Sequence, residues 1–183
     1  MQLETERLHL RRPEPGDLDA YAAFFADPEV VRYTGGATKT RAESTAAVEA
    51  MIRHWDRHGI GLFTLVRCED DRVLGRVGFL LWDPQRWVHG LANELSGVTE
   101  TEIGWTLGRE FWGFGYATEA AAAARDWALG ELGLTRLISL IQRGNTASVR
   151  VAEKLGERLE REDLDGPFRA TVDLYALTAE PAR

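Results

Sequence analysis

The chain has 183 residues, a formal net charge of −7 at pH 7, 44% hydrophobic and 28% charged residues, the balance of one globular domain. That acidic surplus argues against a general nucleic-acid binder and against docking on anionic membranes; basic peptides, amines or basic protein termini suit it better as partners. The single cysteine, Cys68, excludes an internal disulfide and most metal frameworks.

Leu3 to Arg12 reads as a strand, with Leu8 and Leu10 alternating with His9 and Arg11. Pro13 and Pro15-Gly16 stop it, and Asp17 reads as the N-cap of a helix with Leu18, Tyr21, Ala22 and Phe25 on one face. Asp27-Pro28 ends that helix and Thr34-Gly35-Gly36 forms a loop. A second helix runs from about Arg41 to His58, with Val48, Met51, Ile52 and Trp55 at helical spacing and Gly59 at its C-terminus. Strands follow at Gly61–Arg67 and Val73–Leu81, joined by the Glu69–Arg72 turn. Cys68 ends the apolar run Leu62–Val66 and reads as a buried, inert thiol. Residues 83–100 show no period and read as a loop or lid.

Thr101–Leu107 is a strand, residues 109–119 a glycine-rich turn, and Ala117–Leu129 a helix. Leu134–Gln142 is an apolar strand, and Asn145 starts a short helix ending near Leu155-Gly156. Two closing strands lie around Arg158–Leu164 and Ala170–Leu177, with Asp165-Gly166-Pro167 as their turn. The order β-α-α-β-β-β-α-β-α-β-β predicts a single α/β (α+β) domain over residues 1–183, a mixed sheet of about seven strands with about four helices. No secretory signal and no long apolar span are visible, so a cytoplasmic location is expected. The oligomeric state is left open, a homodimer included.

The glycine-rich turn carries most of the chemistry. A strand, a Gly113-x-Gly115 turn and a helix start leave several backbone N–H groups without intrahelical partners, where the helix dipole adds positive potential. That is a main-chain phosphate cradle; the bland alternative is a turn with no ligand. No G-x-x-x-x-G-K-[ST] P-loop occurs. The dinucleotide pattern fits poorly, because Thr118 stands at its third small position and the next strand ends in Gln142-Arg143 without a ribose-binding acid. His9, His54, His58 and His89 show no metal spacing and read as surface residues, with His89 an option for lining an acceptor pocket; no metal is expected. Tyr33, Phe24, Trp82 and Trp87 read as packing residues, with the same option.

Residues 112–117, Trp-Gly-Phe-Gly-Tyr-Ala, resemble the pyrophosphate-binding motif of the GNAT superfamily of acetyltransferases, [Q/R]-x-x-G-x-[G/A]. Leu3–Arg11, Asp27–Tyr33, Gly115–Ala120 and Asn145–Gly156 resemble its RimJ/RimL-like branch, the ribosomal-protein N-terminal acetyltransferases. The likeness covers almost the whole chain except residues 83–100. Trp112 replaces the usual Gln or Arg, Glu157 stands where the family has Phe, and Ala152 takes the place of a tyrosine thought to protonate the leaving thiolate.

The resemblance implies acetyl transfer from acetyl-CoA, as co-substrate, to a primary amine, with a protein or peptide N-terminal α-amine as the expected acceptor. A small-molecule amine acetyltransferase and a non-catalytic acyl-CoA-binding domain are the alternatives. The expected pyrophosphate site is Trp112, Gly113, Phe114, Gly115, Tyr116, Ala117 and Thr118. The strand residues Trp105, Thr106 and Leu107 are expected along the pantetheine arm, Gly104 at a bulge splaying that strand from the next, and Asn145 on the cofactor or capping its own helix. Ser148 is the expected thiolate acid and Glu102 the general base, acting through water; the bland alternatives are a helix-surface serine and a solvated strand carboxylate. Glu119 is expected to serve the helix dipole. An α-amine with pKa near 7.7–8.0 is about one-fifth or more neutral at cytoplasmic pH, whereas a lysine near 10.4 is neutral in about one molecule in a thousand, a cost of roughly 4 kcal/mol. A site without an obvious strong base therefore suits an α-amine or a weakly basic small amine.

Overall fold

A computed structural model describes residues 1–91, 94–95, 97–165 and 170–179. Its strands are β1 (Gln2–Glu4), β2 (Leu8–Arg11), β3 (Leu62–Arg67), β4 (Val73–Asp83), β5 (Val88–His89), β6 (Glu100–Leu107), β7 (Arg136–Gln142), β8 (Arg158–Asp165) and β9 (Thr171–Thr178). Its helices are α1 (Leu18–Ala26), α2 (Pro28–Val31), α3 (Arg41–His58), α4 (Tyr116–Gly130) and α5 (Thr146–Lys154). One mixed sheet runs β1-β2-β3-β4-β6-β7-β9-β8, with β5 paired to the end of β4. The single α/β (α+β) domain expected from the sequence is present, with two more strands and one more helix.

Two of the three additions have an identifiable side-chain cause. The predicted first strand is a hairpin, because Thr5 Oγ1 (2.6 Å) and the Arg7 backbone N–H (3.0 Å) both donate to Glu119 on α4 and hold the chain in a turn. The segment after Asp27 forms α2, since the Asp27 carboxylate accepts from the Glu29 N–H at 2.9 Å and Pro28 suits the first helical position. β5 falls inside the stretch that showed no period. The predicted turn at Gly166-Pro167 lies outside the described residues.

α3 forms as its sequence predicts. Thr40 and Glu43 make a reciprocal capping box, and Gly59 closes the helix at φ 68°, a left-handed conformation that suits glycine. Its buried residues are Ser44, Val48, Met51, His54 and Trp55. His54 is thus not a surface residue. Burial, reinforced by the neighbouring His58, lowers its pKa to about 4 and leaves a neutral ring in the core. Cys68 is exposed rather than buried: β3 ends at Arg67, and the thiol sits on the hairpin beyond it. Asp17 stands at the start of α1 but makes no cap. Its 3%-exposed carboxylate accepts from both Arg11 Nη atoms (2.9 and 2.5 Å), the Glu14 N–H and Thr64 Oγ1. Burial pushes its pKa up, yet these bonds outweigh burial and hold it below the ordinary carboxylate value.

Successive strand residues face opposite sides of a sheet. Tyr21 of α1 meets Thr64 (3.1 Å) on β3, while Trp127 of α4 packs against its neighbour Phe63 and against Phe79, so α1 and α4 cover opposite faces. The main core lies between these helices and β2, β3, β4 and β6; a smaller one, around Ile138, Leu174 and Ala176, lies on the far side of β7. The edge strand β8 is largely exposed, and its Arg, Glu and Asp side chains discourage pairing with another chain. Among the described residues no helix is long and apolar enough to cross a membrane.

Candidate active site

The strand order makes an opening at one place. Among the described residues β6 and β7 are the only parallel pair, joined through α4, and they share a single register position, Glu102 opposite Ile138. Beyond it they diverge. The β4–β6 ladder meanwhile runs from Gly75–Leu107 to Trp82–Glu100 without a register shift, so the expected bulge at Gly104 is absent and the splay arises wholly on the β7 side.

A splay strands ladder hydrogen bonds, and side chains take their place. Glu102 Oε1 accepts from the Leu140 N–H at 3.4 Å, and Ser139 Oγ donates to the Ile103 carbonyl at 2.8 Å. Trp112 Nε1 donates to the Leu107 carbonyl at 2.9 Å. Ile103 and Leu107 thus turn their carbonyls toward β7. Trp105, in the same phase between them, puts its backbone groups on the same open edge.

A cavity of about 190 Å³ occupies this opening. Glu102, Trp105, Thr106, Asn145 and Ser148 all line it, so five residues expected at the site meet there. Tyr33, Trp82 and His89 line it too, whereas Phe24 belongs to the core. Tyr33 reaches across the cleft, its hydroxyl donating to the Gly144 carbonyl at 3.3 Å. Leu107 is buried beside the opening, 5% exposed.

Glu102 is half-buried and lines the cleft. Burial raises its pKa to about 7, against the lowering effect of Trp82 Nε1, which donates to Oε2 at 2.6 Å, the Leu140 N–H and the cation of Arg76. A carboxylate poised near neutrality is matched to taking a proton from an amine at physiological pH. Asn145 caps α5, its Oδ1 accepting from the Ser148 N–H at 3.2 Å, which fixes Ser148 at the mouth of the cleft. The Ser148 hydroxyl makes no hydrogen bond among the described residues. Ala152, one turn further along α5, is fully buried and away from the cavity lining.

Ser139 also lies 3.1 Å from Oε1 of Glu157, which is 3% exposed. A hydroxyl carries one proton, and that of Ser139 is directed at the Ile103 carbonyl. With that proton on the Ile103 carbonyl, a proton on Glu157 serves the second contact, and burial favours this neutral form. Burial raises its pKa to about 8, opposed by Ser139 and assisted by the negative field of Glu102.

Arg76, on β4 opposite Thr106, is the cavity's cation. Its polar neighbours are few: Nη1 lies 3.8 Å from Met51 sulfur and the guanidinium 5.3 Å from the Phe25 ring centre, with no ion pair to any described carboxylate. A cation–π contact is worth about 0.5–2 kcal/mol, while taking a charge out of water costs several kcal/mol. Burial lowers its pKa, but a guanidinium does not give up its proton in a protein.

The second half of the site is the turn before α4. Gly113 and Gly115 both sit at φ 83°, the left-handed region where L side chains are strained. The Glu119 N–H is the first satisfied from within, by the Gly115 carbonyl at 3.0 Å. The N–H groups of Gly113, Phe114, Gly115, Tyr116, Ala117 and Thr118 have no hydrogen-bond partner among the described residues. A Cβ on Gly113 would project into open space. This rim of free donors at a helix N-terminus fits a pyrophosphate. Arg7 braces it: Nη1 donates to the Phe114 carbonyl (3.1 Å), Nε to Glu119 (2.7 Å), and the guanidinium lies over the Tyr116 ring, 4.7 Å from its centre. Glu119 is thus a clamp between the first hairpin and α4. Trp112 and Phe114 stay exposed, at 47% and 60%. Among the described residues no cluster of His, Cys, Asp or Glu could hold a metal ion.

The sequence reading missed Arg76, Ser139 and the neutral state of Glu157. Arg76 and Ser139 are lone polar residues within the apolar strands Val73–Leu81 and Leu134–Gln142, and that isolation was the available signal. Glu157 showed only as an odd residue after Leu155-Gly156.

A splayed parallel pair beside a main-chain anion cradle defines an acyl-CoA-dependent transferase. Residues 7–158 match the acetyltransferase (GNAT) domain family, and the chain belongs to that family. It is similar to the uncharacterised N-acetyltransferase p20 of Bacillus licheniformis, 31% identical over 176 residues that cover 94% of this chain and 92% of p20. It also resembles the crystal structure of an acetyltransferase from Agrobacterium tumefaciens, 29% identical with a TM-score of 0.77 over 96% of this chain and 93% of the other. RimL, the ribosomal L7/L12 α-N-protein acetyltransferase solved in complex with coenzyme A, shares the fold at 15% identity, with a TM-score of 0.72 over 98% of both chains. The protein is an acetyl-CoA-dependent N-acetyltransferase.

Proposed function

We propose that the acceptor is an α-amine, that of a protein or peptide N-terminus in the manner of the RimJ/RimL-like branch, and that Glu102 is the base. The observation carrying this reading is the position of Glu102 at the floor of the β6–β7 splay, tied to Trp82 and Leu140, in the cavity that Ser148 also lines. Acetyl-CoA supplies the acetyl group as a thioester. The N–H groups of residues 113–118 hold its pyrophosphate, with Trp112 bracing the cradle, and the open edge of β6 at Trp105, Thr106 and Leu107 takes its pantetheine arm. Asn145 caps α5 and sets the position of Ser148. Glu102, directly or through one water, takes a proton from the ammonium. The neutral amine then attacks the thioester carbonyl; as the tetrahedral intermediate collapses the C–S bond breaks, the Ser148 hydroxyl protonates the departing thiolate, and the proton shed by the nitrogen as it becomes an amide restores the Ser148 hydroxyl.

The magnitudes favour an α-amine. A base near pKa 7 is well matched to an ammonium near 8, whereas a lysine loses roughly 4 kcal/mol in reaching its neutral form. The test is thiol release from acetyl-CoA with peptides matched except for their free amine. Turnover on free N-termini and little on N-blocked lysine peptides is expected. The reverse preference overturns the α-amine reading. Acetyl-CoA binding without turnover on any amine favours a non-catalytic acyl-CoA-binding domain instead.

A further inference from the structure

The cleft is lined by two groups of opposite charge, Arg76 and Glu102, and among the described residues neither forms an ion pair. Along β4, Arg76 and Leu80 (the register partner of Glu102) are four residues apart on the same face. That places the two strand positions about 13 Å apart, with both long side chains directed into one cavity. Glu102 spends its hydrogen bonds on Trp82 and Leu140. Among the described residues the polar and ring contacts of Arg76 are a sulfur and a ring face. Tyr21 and Glu102 are the titratable groups that raise its pKa, and neither forms an ion pair with it. Other arginines of the sheet do pair with acids: Arg11 with Asp17, Arg67 with Asp70, and Arg136 with Glu100 and Glu160. The cavity lining is apolar at Leu62, Leu80, Leu91 and Trp82, with Thr106 across the ladder from Arg76 and His89 within reach of its charge. Such surroundings strengthen an ion pair formed with an incoming anion.

We propose that Arg76 is a specificity residue that binds a carboxylate of the acceptor, so that the enzyme selects amines carrying an anionic group within about one residue's length of the nitrogen. This rests on the acetyltransfer reading for its amine and adds the second half of the substrate. The shared chemistry is an α-amine with a nearby carboxylate, supplied by a free amino acid or by a peptide whose first residue is acidic. The chain's overall charge of −7 does not contradict this. Net charge acts on long-range approach, whereas an unpaired guanidinium in an enclosed cleft decides what stays there.

The experiment uses two matched acceptor pairs, glycine against glycinamide and Asp-Ala-amide against Asn-Ala-amide, on wild type, Arg76→Met and Arg76→Lys. Thiol release gives kcat/KM, and calorimetry gives binding of the N-acetylated forms in the presence of CoA. Methionine fills the slot between Met51 and Phe25 without charge, and a thermal melt checks that the variant is folded. The expected result is a carboxylate-over-amide preference of about 30-fold or more in at least one pair. That preference should collapse in Arg76→Met and be partly retained in Arg76→Lys; the pair that shows it identifies the source of the carboxylate. No preference in either pair, or one that survives Arg76→Met, overturns the proposal. A charge-dependent preference in binding without thiol release from any of the four leaves the anion site standing and overturns the α-amine reading.

Discussion

Glu157→Gln should make this protein more stable, by an amount that depends on pH. The ordinary glutamate pKa is 4.5, and burial raises Glu157 to about 8. Between those values the folded chain holds a proton that the unfolded chain has released, so stability falls as pH rises. The gap of about 3.5 pH units corresponds, at about 1.4 kcal/mol each, to roughly 5 kcal/mol lost in full above pH 8, and to about 3 kcal/mol at pH 7. Glutamine has the shape of the neutral acid, and its amide can still donate to Ser139. The variant should therefore match wild type at pH 4.5 and gain steadily up to pH 8, with a melting temperature higher by about 6–12 °C at pH 7. Other titrating groups are common to both proteins and largely cancel in the difference. Urea unfolding of both at half-unit steps from pH 4.5 to 9 measures it. A stability difference that stays flat with pH, or a glutamine variant less stable at pH 8, would refute the claim that Glu157 is held as a neutral acid.

Two further substitutions probe the cofactor half of the site. Gly115→Val puts a branched side chain at φ 83° and should abolish acetyl-CoA binding while the domain stays folded. Unchanged calorimetric affinity would remove the cradle from the account. Ser148→Ala should lower kcat at least 10-fold with acetyl-CoA affinity within about threefold, the signature of a proton donor used only as the thiolate leaves; equal kcat would exclude Ser148 as the acid.

The helices and the cradle were legible because their signals are local. The capping box at Thr40–Glu43, the left-handed Gly59 and the Gly113-x-Gly115 turn each depend on a few neighbouring residues. Asn145 and Ser148 were legible for the same reason, three residues apart on one helix turn. The environment of Glu102 was not, because it depends on Trp82 and Leu140, which lie 20 and 38 residues away in sequence. Cys68 was misread because an apolar run says nothing about where a strand leaves the core. His54 was misread for the opposite reason. It follows Met51 by three residues, on the buried stripe of α3, and residue type was allowed to outweigh position. The splay itself came from neither composition nor a bulge; it follows from two strands paired at one position, a property of the sheet as a whole.

The central claim is that Glu102, at the floor of that splay, takes the proton from the acceptor amine. The direct measurement is kcat/KM against pH for wild type and Glu102→Gln with a preferred acceptor. The account predicts a wild-type limb rising through an apparent pKa of about 7, and a variant about 10²–10⁴-fold slower that lacks this limb. A variant that keeps both the rate and the inflection would show that the proton goes elsewhere.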